Sequence, residues 1–571
     1  MDRKVLLAMI MIMMVLLVDQ VISPKFYRPK AKPVPARQKG APGTTQTGSG
    51  APDTGASGAG ASTGAPETPV GTTGPGAGGA PGAGGALSSG TILTRPQVAP
   101  APTETREIRT EHYRATFTSD GAVISHWILD SYKDEVRNQP IDLVPPGGRA
   151  YQVIVEAGSR ALDFSEAPFR LTQDDAIGGI LSFEAQDVSG VRVTKTYRLG
   201  SDRRLLDASV RVSAPAELGP IRYRIGWGTP LPLTEPSTKH EQIQPVALLG
   251  EKLETIPASK LGPNGERIVP PGNVRWVASR SKYFIAAVIP DSGTVSEVVF
   301  RSAGPGLVTA WLLGAAPPGG EVLRHTRLYG GPIHYETLAG IGAGLDEVAN
   351  LGWRWLRGIS VLLLKCLNLL HKVIPNYGVA IILVALITKL IFYPLTQSSL
   401  RSMKVMHHLQ PQIKELQEKY KSDPMKLNQA MMALYKENKV NPMSGCLPML
   451  LQVPVFIGLY NVLLYSIELR ASGFIGYIHD LSAPDVLMTI GGLPIHLMPV
   501  IMTGSTYLLQ SQTPVAPAQK GMMYVMPLFM LFFMYSFPSG VVLYWTVNNL
   551  LSALQQYLVN LAEDRKLNPT T

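Results

Sequence analysis

Lys389 is the only charged residue in an apolar run, NYGVAIILVALITKLIFYPL, from Asn376 to Leu395. The run is long enough to cross a bilayer as a helix. An ionised side chain inside such a helix costs roughly 2.5 to 3.5 kcal/mol on insertion scales, so it ordinarily faces a wet cavity, a partner or a substrate path. Lys389 is therefore the first functional candidate. The bland alternative is snorkelling, because a lysine about two turns from the end of the run can carry its ammonium to the headgroups. Other residues able to do chemistry are sparse. His126, Asp130 and His240 lie among short alternating segments with no spacing that marks a nucleophile or a metal cage, and they read as solvated surface residues. The two cysteines, Cys366 and Cys446, sit in hydrophobic stretches outside any CxxC or Cys/His spacing, which argues against a disulfide or a zinc site. No nucleotide, P-loop or metalloprotease motif occurs, so neither a cofactor nor a metal is expected.

The elements that must position Lys389 emerge from shifts in composition along the 571 residues. At the N-terminus, Arg3 and Lys4 precede an apolar run with no small-x-small cleavage site, and residues 1–29 read as a retained signal anchor with its start in the cytoplasm. Residues 30–106 are dominated by Gly, Ala, Pro and Thr and read as a flexible linker. Residues 107–335 carry alternating runs such as YQVIVEA and VRVTKTYRL between Gly, Pro and Asp clusters, the pattern of an all-β sandwich. Residues 336–375 are apolar but interrupted by Arg354, Arg357, Lys365 and Lys372, which fits an interfacial amphipathic helix anchored by Trp353 and Trp355.

Six spans are expected, at 4–22, 376–395, 444–467, 486–509, 522–537 and 541–559, leaving a short tail at 561–571. This count puts residues 397–443 in the cytoplasm with eight basic residues, Arg401, Lys404, Lys414, Lys419, Lys421, Lys426, Lys436 and Lys439, against four acids. That satisfies the positive-inside rule, and the net charge of +10 reflects topology better than it does DNA binding. Within this stretch Asp423 and Pro424 supply an N-cap and a first-turn proline, so a basic helical hairpin is expected. It reads either as a docking surface or as a connector that merely obeys the orientation rule. Met522, Met526, Met530 and Met534 recur every four residues on the fifth span, either as core packing or as a flexible slide for varied apolar segments.

Four segments carry a family likeness. ITKLIFYPLT at Ile387 to Thr396, the stretch MMALYKENKVNPMSGCLPMLLQVPVFIGLY, the loop IHDLSAPD at Ile478 to Asp485 and FPSGVVLYWTVNN together resemble the YidC/Oxa family of membrane protein insertases. SKYFIAAVIP at Ser281 to Pro290 resembles the large periplasmic domain of the Gram-negative type. The resemblance implies a multidomain inner-membrane protein: a periplasmic β-supersandwich, a helical core of five helices (residues 376–396 and 444–560) and an N-terminal anchor. It also implies an insertase and chaperone rather than an enzyme. Its partners would be nascent inner-membrane proteins, the Sec translocon, the lipid bilayer and, through the hairpin, a ribosome or signal-recognition-particle receptor. Lys389 stands where the family usually has a groove arginine, which keeps the charge but loses the planar fork. By the same matching, Gln510 and Trp545 are candidate groove residues. Two rivals make other demands. A solute transporter needs inverted repeats and a midplane cluster of ligands, and a periplasmic carbohydrate-active enzyme needs a convergent carboxylate or histidine pair.

Overall fold

The computed structural model describes residues 92–567 except 135–136, 158–159, 176–178, 236–242, 258–259, 262–264, 270–271, 292–296, 305–306, 439, 441–446 and 513–519. The side chains of 407, 447–449, 520, 522, 523 and 562–567 are likewise left aside. The N-terminal anchor, most of the linker, His240, Cys446 and Lys439 therefore lie outside the described residues.

Alternation of side chains sets the β domain. In Arg192–Leu199, Val193, Lys195 and Tyr197 point inward while Arg192 and Arg198 face out, the period of two expected of a half-buried strand. Such strands form a seven-stranded sheet centred on Ile221–Gly226 and Leu307–Ala316, and a nine-stranded sheet centred on Phe284–Pro290, Glu321–Pro332 and Leu205–Ser213. A smaller four-stranded sheet runs from Thr105–Arg109 to Pro140–Asp142. One core of aromatic and aliphatic residues joins them, with Tyr113, Trp127, Tyr151, Phe164, Tyr197 and Phe300 among its members.

The domain starts earlier than its composition indicates. Ile92–Thr94 pairs in parallel with Arg160–Asp163, and Val98 bridges Asp187. The last part of the Gly/Ala/Pro/Thr-rich stretch is thus a sheet edge, where ILT places two large aliphatic side chains together after a run of Gly and Ala.

Nine helices are described beyond the last long strand: α1 (Tyr335–Ile341), α2 (Arg354–Val373), α3 (Tyr377–His408), α4 (Gln410–Lys419), α5 (Pro424–Glu437), α6 (Leu447–Tyr465), α7 (Leu497–Ser511), α8 (Lys520–Met534) and α9 (Ser539–Leu567). Among the described residues one stretch, Tyr377–Met406 in α3, is long and apolar enough by itself to span a bilayer. Leu450–Tyr465 and Tyr524–Met534 are shorter apolar helices.

Two expected boundaries move. α3 runs through Pro394 to His408, so the first limb of the basic hairpin is partly its extension. The span expected at 486–509 divides. Met488–Ile490 and Leu493–Ile495 pair as a hairpin, and helix begins only at Leu497. The reason is Gly491 and Gly492, whose φ values of 57° and 83° make the tight turn that a continuous helix forbids.

Residues after α6 bind the helices to the β domain. Ile467 belongs to the β-domain core, and Arg470 donates to Glu235 at 2.7 Å and to the Lys133 carbonyl at 2.8 Å. Its guanidinium also lies 5.6 Å from the Phe284 ring centre. Gly378 lets this connection pass over the start of α3, since a Cβ there would lie 2.0 Å from the ring of Phe474.

Candidate functional site

α3, α7 and α9 all begin at the end of the bundle nearest the β domain. Asn376 donates to the Phe474 carbonyl, Asp485 accepts from the first two amides of α7, and Ser539 donates to the Asp480 carbonyl. Twelve residues into α3, about 18 Å down the axis at 1.5 Å per residue, Lys389 extends toward α9. Its Nζ donates to Ser552 Oγ at 2.6 Å. The Ser552 hydroxyl proton is directed to the Asn548 carbonyl of its own helix at 2.7 Å, which leaves an oxygen lone pair aimed at the ammonium. Lys389 has no carboxylate partner among the described residues. Indeed α3, α6, α7 and α8 contain no Asp or Glu at all.

Ser552 belongs to a polar row that composition did not reveal. On α9, Asn548, Asn549, Ser552, Gln555 and Gln556 recur at helical spacing, with Ser552 meeting α3 while Asn549 and Gln556 meet α7 and the residue after it. Asn549 Nδ2 donates to Ser505 Oγ at 3.2 Å and Thr506 Oγ1 at 2.8 Å, and Gln556 Nε2 donates to the Gln512 carbonyl at 2.7 Å. Several enclosed atoms find no partner among the described residues: Oε1 of Gln510 and Gln512, Oδ1 of Asn548 and both amide atoms of Gln555. Each such atom costs about 1 to 3 kcal/mol if it stays dry. A row of them suits a hydrated interior far better than a lipid-sealed one. The row occupies the half of the bundle distal to the β domain.

The expected site residues do not all converge. Gln510 is at the far end of α7, with its carbonyl oxygen enclosed beside the polar row. Trp545 lies two turns from Ser552 on α9 and packs edge-on against Phe456 of α6 at 4.8 Å, so it borders the apolar part of the bundle. Neither bonds to Lys389. Met526 and Met530 are half-buried on α8 and Met534 is buried, whereas the side chain of Met522 lies outside the described residues. The exposed ridge of α8 is instead Tyr524, Val525, Leu528, Phe529 and Phe532.

The basic residues spread along the far end. Arg401 lines a cleft with Pro394, Gln397, Ser398 and Asn438, between the extension of α3 and the end of α5. Lys404 is half-buried nearby. Lys414, Lys419, Lys421, Lys426 and Lys436 are exposed on α4, α5 and their turn, where Asp423 caps α5 by accepting from the Lys426 amide at 3.1 Å.

In the β domain, Asp130 accepts from Nε and Nη2 of Arg114 at 2.8 and 2.7 Å, and His126 is engaged by Asp142 at 2.6 Å. The Arg114 guanidinium holds the Asp130 carboxyl below its ordinary range. These are cross-strand surface pairs. Among the described residues no three His, Cys, Asp or Glu side chains are placed to hold a metal ion, and Cys366 is a free, half-buried thiol.

The polar row was legible in principle. Asn548, Ser552 and Gln555 sit at i, i+4 and i+7 within an apolar helix, a signal that a search for charge alone passes over.

Comparison with known proteins follows the same division of the chain. The family model of the 60Kd inner membrane protein matches residues 369–566, and that of the YidC periplasmic domain matches residues 105–364. The membrane protein insertase YidC of Syntrophus aciditrophicus is 35% identical over 479 residues, covering 79% of this chain and 84% of the relative. That of Cupriavidus necator is 33% identical over 542 residues, covering 91% of each. A crystal structure of an active YidC insertase with its first transmembrane domain resolved is 19% identical, covers 81% of this chain and 94% of that one, and superposes with a TM-score of 0.34.

Proposed function

The chain belongs to the YidC family of membrane protein insertases, and from that premise we propose how its polar row serves insertion. The β domain lies in the periplasm, six helices including the N-terminal anchor span the membrane, and both termini face the cytoplasm. In that orientation the row from Lys389 to Gln556 opens toward the cytoplasm. Water there removes part of the hydrocarbon thickness that polar flanks of an incoming segment must cross.

Lys389 adds a positive potential that no carboxylate among the described residues pairs with. A unit pair 4 Å apart gains roughly 4 kcal/mol at an effective dielectric of 20, enough to draw an acidic flank into the row. Ser552 orients the ammonium without neutralising it. The half-buried methionines of α8 then offer an adaptable apolar wall along which the segment leaves for lipid. The basic hairpin receives clients at the cytoplasmic face, as a docking surface for a ribosome or a signal-recognition-particle receptor, and the Sec translocon is a lateral partner for larger clients. No bond is made or broken, so the activity is that of an insertase and chaperone and not of an enzyme.

The unpaired Lys389 beside enclosed, unpartnered amides carries this reading. Proteoliposomes containing only this chain should protect a small, Sec-independent client from external protease. Lys389→Arg should retain that protection and Lys389→Glu should reduce it to the level of empty liposomes. Equal protection by all three proteins would refute the electrostatic role.

A further inference from the structure

The hairpin that replaces the start of the expected fourth span has its own chemistry. Residues 486–495, VLMTIGGLPI, contain no charge. Val486, Met488, Ile490 and Leu493 are 47%, 51%, 60% and 71% exposed. Among the described residues the two three-residue strands pair only with each other. A two-stranded ribbon is marginal in water, and an open apolar one invites aggregation. The surroundings say what covers it. α7 begins two residues after Ile495, and the exposed ridge of Val500, Ile501 and Leu508 continues the same apolar surface down that helix. The ridge of α8 runs parallel to it through Phe532, and Tyr535 at its end donates to the Pro494 carbonyl at 2.9 Å and packs against His496. The nearest charge, Asp485, is turned inward, 3% exposed, onto the first amides of α7. An aromatic hydroxyl at the junction of an apolar ridge and a polar loop is the usual signature of a bilayer interface.

We propose that residues 486–495 lie in the outer leaflet, with Met488, Ile490 and Leu493 among lipid acyl chains. The hairpin thereby fixes the depth of α7 and α8 beside the polar row. This rests on the span assignment proposed above. Full-length protein carrying Cys366→Ser and Cys446→Ser, with one cysteine at Leu493, Phe532 or Val188, is labelled with an environment-sensitive fluorophore. It is then reconstituted in phosphatidylethanolamine and phosphatidylglycerol vesicles. Phe532 reports the span, and Val188 the aqueous surface of the β domain, where it is 77% exposed. At Leu493, lipids spin-labelled high on the acyl chain should quench strongly, and iodide should quench several-fold less than at Val188.

A Leu493 label that behaves like Val188 while Phe532 is lipid-quenched overturns the hairpin's place and leaves the spans standing. Protection from both quenchers also overturns it, in favour of a second copy of the chain as the cover. Loss of lipid quenching at Phe532 as well would bring down the span assignment and this inference together.

Discussion

The protein holds two buried lysines in opposite ways. Lys195 lies in the core of the β domain, where its Nζ donates to the carbonyls of Gly121, Ala122 and Tyr151 at 2.9, 3.3 and 3.0 Å and sits 5.9 and 5.7 Å from the ring centres of Tyr151 and Phe169. All three ammonium donors have acceptors, and the site is closed. Among the described residues Lys389 has a single hydroxyl partner, near a row of amides with atoms still unpartnered. A saturated amine has its donors already taken by the fold, whereas an unsaturated one has donors still to place. Burial alone therefore does not distinguish the two lysines; the number of partners already in place does.

The largest effect should come from emptying the saturated site. Lys195→Met orphans three carbonyls and should lower β-domain stability by about 2 to 4 kcal/mol, read as a fall in denaturation midpoint, while protein that remains folded still inserts clients. Lys389→Met should do the reverse. Client protection should fall roughly tenfold, equivalent to about 1.4 kcal/mol, with the β-domain transition unmoved. If both variants lost stability and kept activity, the two lysines would be alike and the distinction would collapse.

A smaller effect is expected from pH. Burial pushes the Lys195 ammonium down to about 7, below its value in the unfolded chain. Between about pH 7 and the unfolded value the unfolded state holds a proton that the folded state has released, so stability should rise with pH across that window, with a slope of up to about 1.4 kcal/mol per pH unit. Below pH 7 this contribution is flat. Lys195→Met should remove the slope, and a slope unchanged in the variant would assign it to other groups. Smallest is Ser552→Ala, which frees the ammonium without removing it and should change client protection by about twofold, ~0.4 kcal/mol. A loss as large as that of Lys389→Met would instead make Ser552 the principal group.

Much of this was readable before the structure. Lys389 announced itself as a charge in an apolar run, Asp423 and Pro424 marked the start of α5, and alternation in VRVTKTYRL outlined an inward-facing row that includes Lys195. Lys195 itself was hidden, because a lysine on an apolar face looks like a break in the pattern until three carbonyls converge on it. VLMTIGGLPI was hidden for the opposite reason. Its hydropathy matches that of a span, and only the paired glycines distinguish a hairpin from a helix. The polar row escaped because Asn, Ser and Gln are individually ordinary in membrane helices, and it acquires meaning only when α7 and α9 bring them together.

The most direct test is water access at position 389. In the cysteine-free background, Lys389→Cys and Leu390→Cys are exposed to a charged, membrane-impermeant thiol reagent in inverted membrane vesicles, whose cytoplasmic face is outward. Leu390, the next residue and about 100° around α3, is 63% exposed. The expected result is rapid modification at 389 and almost none at 390. Two unreactive cysteines, or equal reaction at both, would contradict a hydrated groove around Lys389.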